Sequence, residues 1–105
     1  MNRIDQLRKF LKEDPEDAFL LFALARELTR AGEPSEALKT YYHLQKLHPG
    51  YVGLYYHLGQ LEEYQGLREQ ARATYRAGIL QAQEQGDQHA RQELEGVLAL
   101  LREQQ

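Results

Sequence analysis

Leu21-Phe22-Ala23-Leu24-Ala25, then Gly32, then Ala37-Leu38-Lys39-Thr40-Tyr41, reappears 34 positions later as Tyr55-Tyr56-His57-Leu58-Gly59, then Gly66, then Ala71-Arg72-Ala73-Thr74-Tyr75. At the core-spaced positions large residues fall on large (Leu21/Tyr55, Leu24/Leu58, Tyr41/Tyr75), small on small (Ala25/Gly59, Ala37/Ala71) and glycine on glycine (Gly32/Gly66). Pro15 precedes Pro49 by the same interval. A fixed interval of about 20 to 50 residues is the mark of a repeat array, in which each unit leaves a face for its neighbour to cover.

Composition agrees with a folded array. The chain has 105 residues, enough for one modest core. Apolar residues make up 42% and charged residues 28%, a balance that argues against disorder. The net charge of −3 offers no basic excess to hold a phosphate backbone, so no nucleic-acid partner is expected. Cysteine is absent, which excludes disulfides and thiolate metal sites and fits a reducing compartment. The longest apolar run, Ala18 to Ala25, stops at Arg26 and is far short of the roughly 20 residues that span a bilayer. Residues 1–9 lack the apolar segment of a secretory signal. A cytoplasmic chain with no membrane partner is the expectation.

Helical periodicity runs throughout. Ile4, Leu7, Phe10 and Leu11 share one face of a helix over 2–13. Pro15 breaks it and Asp17 can cap the next, over 18–31, whose core stripe is Leu21, Leu24, Ala25 and Leu28. Gly32 ends that helix and Pro34 opens another, to Leu47, carrying Ala37, Leu38, Tyr41 and Leu44. A fourth helix, 51–65, carries Tyr55, Leu58, Gly59 and Leu61. A fifth, 68–85, carries Ala71, Tyr75, Gly78, Ile79 and Ala82. The last, 87–103, carries Ala90, Leu94, Val97, Leu98 and Leu101 among glutamines and glutamates. No segment alternates with period two, so no strand is expected.

Within each interval the pattern resembles the tetratricopeptide repeat: a helix–turn–helix with large-xx-Leu-Gly-xx-Tyr on its first helix, then Ala-xxx-aromatic and a closing proline. Leu21-xx-Leu24-Ala25 with Ala37-xxx-Tyr41 and Pro49 makes one unit over 18–51. Tyr55-xx-Leu58-Gly59 with Ala71-xxx-Tyr75 makes a second over 52–85. The first helix, with Pro15 behind it, looks like half of a preceding unit over 2–14. The last, over 87–103, reads as a polar capping helix. Gly78, Glu62 and Gln83 depart from the family's usual alanine, tyrosine and proline. The resemblance implies a single all-α domain, a right-handed superhelix of about two and a half such units with the cap. Small residues at Ala25, Gly59, Ala37 and Ala71 let paired helices approach, and large ones at 21, 55, 41 and 75 fill the space beside them. Glu62 is expected to be partly exposed, or paired with Arg91 if buried.

Catalytic chemistry finds no foothold. Ser35 is the one serine and sits in a first helical turn. The glycines are dispersed and form no phosphate loop. His43 and His48 lie five apart and lack metal-ligand spacing. No enzyme activity, cofactor or metal is expected. The resemblance instead implies that the first helix of each unit lines a concave groove for an extended or helical peptide. The positions so mapped are Phe19, Phe22, Arg26, Thr29 and Arg30, then Gly53, Tyr56, His57, Gln60, Glu63 and Tyr64.

Eight consecutive apolar residues make the second helix apolar nearly all round, so it is either covered on several sides or keeps a face for a partner. Phe19 has both readings, under the N-terminal helix with Leu20 or toward a partner. Phe22 and Tyr56 read as groove-facing. Arg26 and Arg30, one turn apart, either receive a carboxylate together or stand solvated. The lysine-and-asparagine clamp of the family's chaperone-binding members is absent, since its positions hold Phe22, Arg26 and His57. The expected function is therefore recognition of a protein or peptide partner, with Phe22, Tyr56 and Tyr64 as anchors. The alternative is a structural module that acts as a homodimer or larger homo-oligomer.

Overall fold

The computed structural model describes residues 2–104. They form six α-helices and, among those residues, no strand: α1 (Arg3–Glu13), α2 (Ala18–Arg30), α3 (Pro34–Leu47), α4 (Gly53–Tyr64), α5 (Arg68–Gln85) and α6 (Gln88–Glu103). The fold is all-α.

Local chemistry sets the helix ends. The Asp17 carboxylate accepts from the Leu20 N–H at 2.8 Å, and Asp87 accepts from the Ala90 N–H at 3.0 Å, each satisfying an otherwise orphaned first-turn donor. Asn2 does the same for Asp5 at 2.9 Å. Gly32 and Gly66 hold φ of 77° and 78°, a left-handed turn that a β-carbon would oppose. The residue after each glycine then donates back across the turn, Glu33 to Leu28 O at 3.0 Å and Leu67 to Glu62 O at 2.8 Å. One turn chemistry, repeated at the sequence interval, closes both hairpins.

The helices gather into two compact units, α1–α3 and α4–α6, dividing between Tyr51 and Val52. In the first, α2 packs on both α1 and α3. Leu7, Leu21, Leu24, Ala25, Leu28, Ala37, Tyr41 and Leu44 are its buried residues. Arg8 of α1 forms an ion pair with Glu36 in the first turn of α3. The ring nitrogen Nε2 of His48 donates to the Glu16 carbonyl at 2.6 Å and ties the two inter-helix loops together.

In the second unit, α5 packs on α4 and α6, and α6 also reaches α4. Leu54, Tyr55, Leu58, Leu61, Ala71, Tyr75, Ala82, Leu94, Leu98 and Leu101 form the apolar core. Arg68 at the start of α5 donates to the Leu101 carbonyl near the end of α6 at 2.9 Å, satisfying one of that helix's last acceptors.

Two glycines let aromatic rings seat against a helix backbone. A β-carbon at Gly59 would lie 2.1 Å from Tyr75 Cε1, and one at Gly78 would lie 2.5 Å from Tyr55 Cβ and 2.9 Å from Leu94 Cδ1. Gly78, a departure from the family's alanine, thus marks where α4 and α6 both press on α5.

Glu62 corrects the sequence expectation. It is 1% exposed, and the Thr74 hydroxyl on the facing helix donates to its carboxylate at 2.5 Å. Its equivalent one interval earlier, Leu28, is buried as well, so the position is interior in both copies and only the chemistry differs. A buried carboxylate is tolerable only when hydrogen-bonded.

Alanine at Gly59 or Gly78 is expected to destabilise the chain by about 1–3 kcal/mol through overpacking. The Tyr75 ring cannot retreat without losing its hydrogen bonds, and the atom facing Gly78 is the root of a side chain. Alanine at Gly96, where a β-carbon would meet nothing within 4 Å, should instead raise stability by about 0.5–1 kcal/mol through helix propensity. Urea denaturation of the three variants checks both signs.

Candidate partner-binding surface

In the first unit the mapped residues lie on α2. Phe19 is 62% exposed, so it does not pack under α1. Its ring projects from the first turn, beyond the reach of the core stripe that begins at Leu21. Phe22 is half-buried and joins an aromatic cluster. Its ring meets Tyr41 edge-on at 6.5 Å and Tyr51 at 5.2 Å with a 46° tilt. The Arg26 guanidinium carbon stands 6.0 Å from the centre of the Phe22 ring, a cation–π placement. Arg30 turns the other way and donates to Glu27 at 3.0 Å. The two arginines therefore do not converge on one point, although they are a single turn apart. Thr29 is exposed and donates to the Ala25 carbonyl of its own helix at 2.8 Å.

Tyr51 was not among the residues mapped from sequence. No repeat signal could have found it, since Asp17 and Gln85 stand one interval away on either side. It belongs to the loop before α4, where its ring closes one side of Phe22.

Burial pushes the Tyr41 hydroxyl up to about 12, against smaller lowering effects from a hydrogen bond with Thr29 and the charge of Arg26. Tyr51 is raised too, chiefly by burial and then by the nearby Asp17 carboxylate.

In the second unit the mapped residues lie on α4. Tyr56 and His57 are half-buried, with ring centres 5.4 Å apart and nearly perpendicular. Gln60 and Glu63 serve the interior. The Gln60 amide donates to the Tyr75 hydroxyl at 2.6 Å, and that hydroxyl donates to the Glu63 carboxylate. Both residues look like surface polar groups in sequence, but they anchor the ring that seats on Gly59. Burial raises the Tyr75 pKa, and the bond to Glu63 raises it further. Tyr64, one turn past Gln60, is 88% exposed. Gly53, at the start of α4, is exposed and offers no side chain.

Solved structures resemble the chain over most of its length. A tetratricopeptide repeat domain protein from Salinibacter ruber, determined in solution, is 39% identical with a TM-score of 0.80; the match covers 83% of this chain and 88% of that one. A crystal structure of such a domain protein from the same organism gives 36% identity and a TM-score of 0.80, covering 85% and 99%. The chain belongs to the tetratricopeptide repeat family.

A solution structure of a Bordetella parapertussis protein adds 25% identity and a TM-score of 0.85 over 99% of this chain and 90% of that one. No family model matches the chain, and no curated protein does. Tetratricopeptide repeat domains are in general protein–protein interaction modules and in general non-catalytic. No helix among the described residues is long and apolar enough to cross a membrane. Nor do those residues gather three or more histidines, aspartates or glutamates that could hold a metal ion.

The raised tyrosines carry a pH signature. Their neutral forms are favoured in the fold, so their contribution is fully present below the unfolded value near 10. It is lost as pH rises from there through the folded values. The melting temperature should be flat between pH 7 and 9 and fall above pH 10. Tyr41 alone accounts for about 2–3 kcal/mol by pH 12. Tyr41→Phe should make that alkaline slope shallower and leave the share of Tyr75, as followed by circular dichroism.

Proposed function

We propose that the chain is a non-catalytic recognition module that binds a peptide segment or partner helix through the aromatic faces of α2 and α4. These are the first helices of its two repeats, the helices that line the family's groove. On this reading residues 18–51 and 52–85 are full repeats, 2–14 is a half repeat and 87–103 is the cap. The absence of cysteine makes a cytoplasmic setting part of the proposal.

One observation carries it. Each of the two helices leaves a large aromatic in solvent, Phe19 at 62% and Tyr64 at 88% exposure, in a chain of a family whose domains are interaction modules. Exposed aromatics supply contact area at low conformational-entropy cost, which makes them frequent binding anchors. Around them each unit adds its own polar reach. In the first, Arg26 stands over Phe22 and can offer its remaining donors to a carboxylate. In the second, Tyr56 and His57 provide a ring face and a ring-nitrogen hydrogen-bonding group. Arg30, Gln60 and Glu63 are engaged within the chain and serve as rim or support.

The same aromatics could meet each other in a second copy, which is the competing reading. Light scattering between micromolar and millimolar concentration separates the two. A mass that stays monomeric throughout sinks self-association. Recognition is tested by the Phe19→Ala, Tyr64→Ala double variant, compared with the parent in affinity capture from cells that express the chain. Neither residue is in the core, so the fold should persist. A specific partner should be recovered at least about tenfold less well. Equal recovery of every partner would show that these faces are not the binding surface.

A further inference from the structure

The second unit has an open groove between α5 and α6, with a cavity volume of about 540 Å³, lined by Arg76, Ile79, Leu80, Glu95, Leu98 and Arg102. It shares no residue with the faces discussed above. Leu80 is 60% exposed within it. Arg76, Glu95 and Arg102 form no ion pair among the described residues.

The repeat register shows what this groove corresponds to. Helix α5 matches α1 at two intervals: Arg76 takes the place of Arg8, Ile79 of Leu11 and Leu80 of Lys12. Helix α6 aligns with α4 by its interior leucines, since Leu94, Leu98 and Leu101 are buried as Leu54, Leu58 and Leu61 are. That alignment displaces α6 from α4 by 40 residues and not by the 34-residue interval; carried back from α4 by the interval itself, Glu95, Leu98 and Arg102 take the places of Leu21, Leu24 and Leu28 on α2. Those three leucines are buried in the first unit, where α2 packs on α3 and Arg8 holds Glu36 in the first turn of α3. The α5–α6 groove is thus the counterpart of the seat that α3 fills.

We propose that this groove docks an amphipathic helix of a partner protein, held by carboxylates in its first turns. The charges specify the occupant. Arg76, standing where Arg8 stands, calls for an acid in the first turn, as Glu36 is. Arg102 and Glu95 replace two leucines, so the surface is built for a charged partner and not for another apolar repeat. Helices α2 and α3 are antiparallel neighbours across a three-residue turn, Ala31 to Glu33, so an occupant in the same pose runs antiparallel to α6. Arg102 then meets its early residues, and Glu95, about 10 Å along the helix, meets a cation seven residues later. Leu80 and Leu98 supply the apolar contact between these ends.

The probe is a synthetic peptide of residues 33–48 carrying Leu38→Glu and Gln45→Lys. It keeps the Glu36 acid and the Ala37, Tyr41 and Leu44 stripe that is buried in α3. Labelled at one end, it is titrated with the full chain and followed by fluorescence anisotropy. Binding should weaken about tenfold in the Arg76→Glu, Arg102→Glu variant, whose two positions are exposed and leave the fold intact by circular dichroism. A peptide with Glu36→Lys, Leu38→Lys and Gln45→Glu should regain that affinity only on the chain that also carries Glu95→Lys. An affinity unchanged by the arginine reversals would overturn the proposal. So would an absence of binding up to millimolar peptide. A concentration-dependent dimer that the arginine reversals abolish would make the occupant a second copy and overturn it equally.

Discussion

A tyrosine ring laid against a glycine backbone is the contact on which the second unit depends. Gly59 has no β-carbon, and the Tyr75 ring occupies the space where one would be. The reciprocal contact sets Tyr55 on Gly78. Large-into-small packing of this kind draws two helices together and fixes their register, because a ring has one place to go. The first unit places Ala25, Ala37 and Tyr41 at equivalent positions, and all three are buried. Left-handed glycine turns at 32 and 66 then bring each helix back along its partner.

That contact also reaches the surface. The Tyr75 hydroxyl lies between Gln60 and Glu63, so two residues on the outward side of α4 are committed to holding a core ring. A similar economy holds on α2, where Arg30 is bonded to Glu27 and Thr29 to its own backbone. On each helix the exposed surface is therefore narrower and more aromatic than the mapped positions suggest: on α2 Phe19 stands in solvent and Phe22 is half-covered, and on α4 Tyr64 stands in solvent and Tyr56 is half-covered. Phe22 is held from below by Tyr41 and from the side by Tyr51, which makes its ring face a preorganised feature and not a mobile one.

The fold was legible because its determinants are local and periodic. Helix faces, the proline and glycine stops, and the small–large alternation are all written within one interval, and the six helices lie within two residues of their expected bounds. Features that break the period were harder to read. Glu62 looks like a surface residue by type, yet it occupies the buried place of Leu28 with Thr74 as a donor. Tyr51 has no aromatic counterpart in either direction, so nothing marked it as the wall of the Phe22 cluster. Phe19 lay in an unbroken apolar run, where periodicity cannot tell the covered face from the open one. Whether Gln60 and Glu63 point to solvent or to Tyr75 depends on rotamers, which spacing does not encode.

The central claim is that a glycine and a ring, matched across a helix pair, hold the second unit together. A double-mutant cycle between Gly59→Ala and Tyr75→Leu, read by urea denaturation, tests it most directly. If the ring fills the space beside Gly59, the alanine should cost much less once the ring is gone, with a coupling of about 1 kcal/mol or more. Costs that add to within about 0.3–0.5 kcal/mol would mean that the two residues act independently, and would contradict the account.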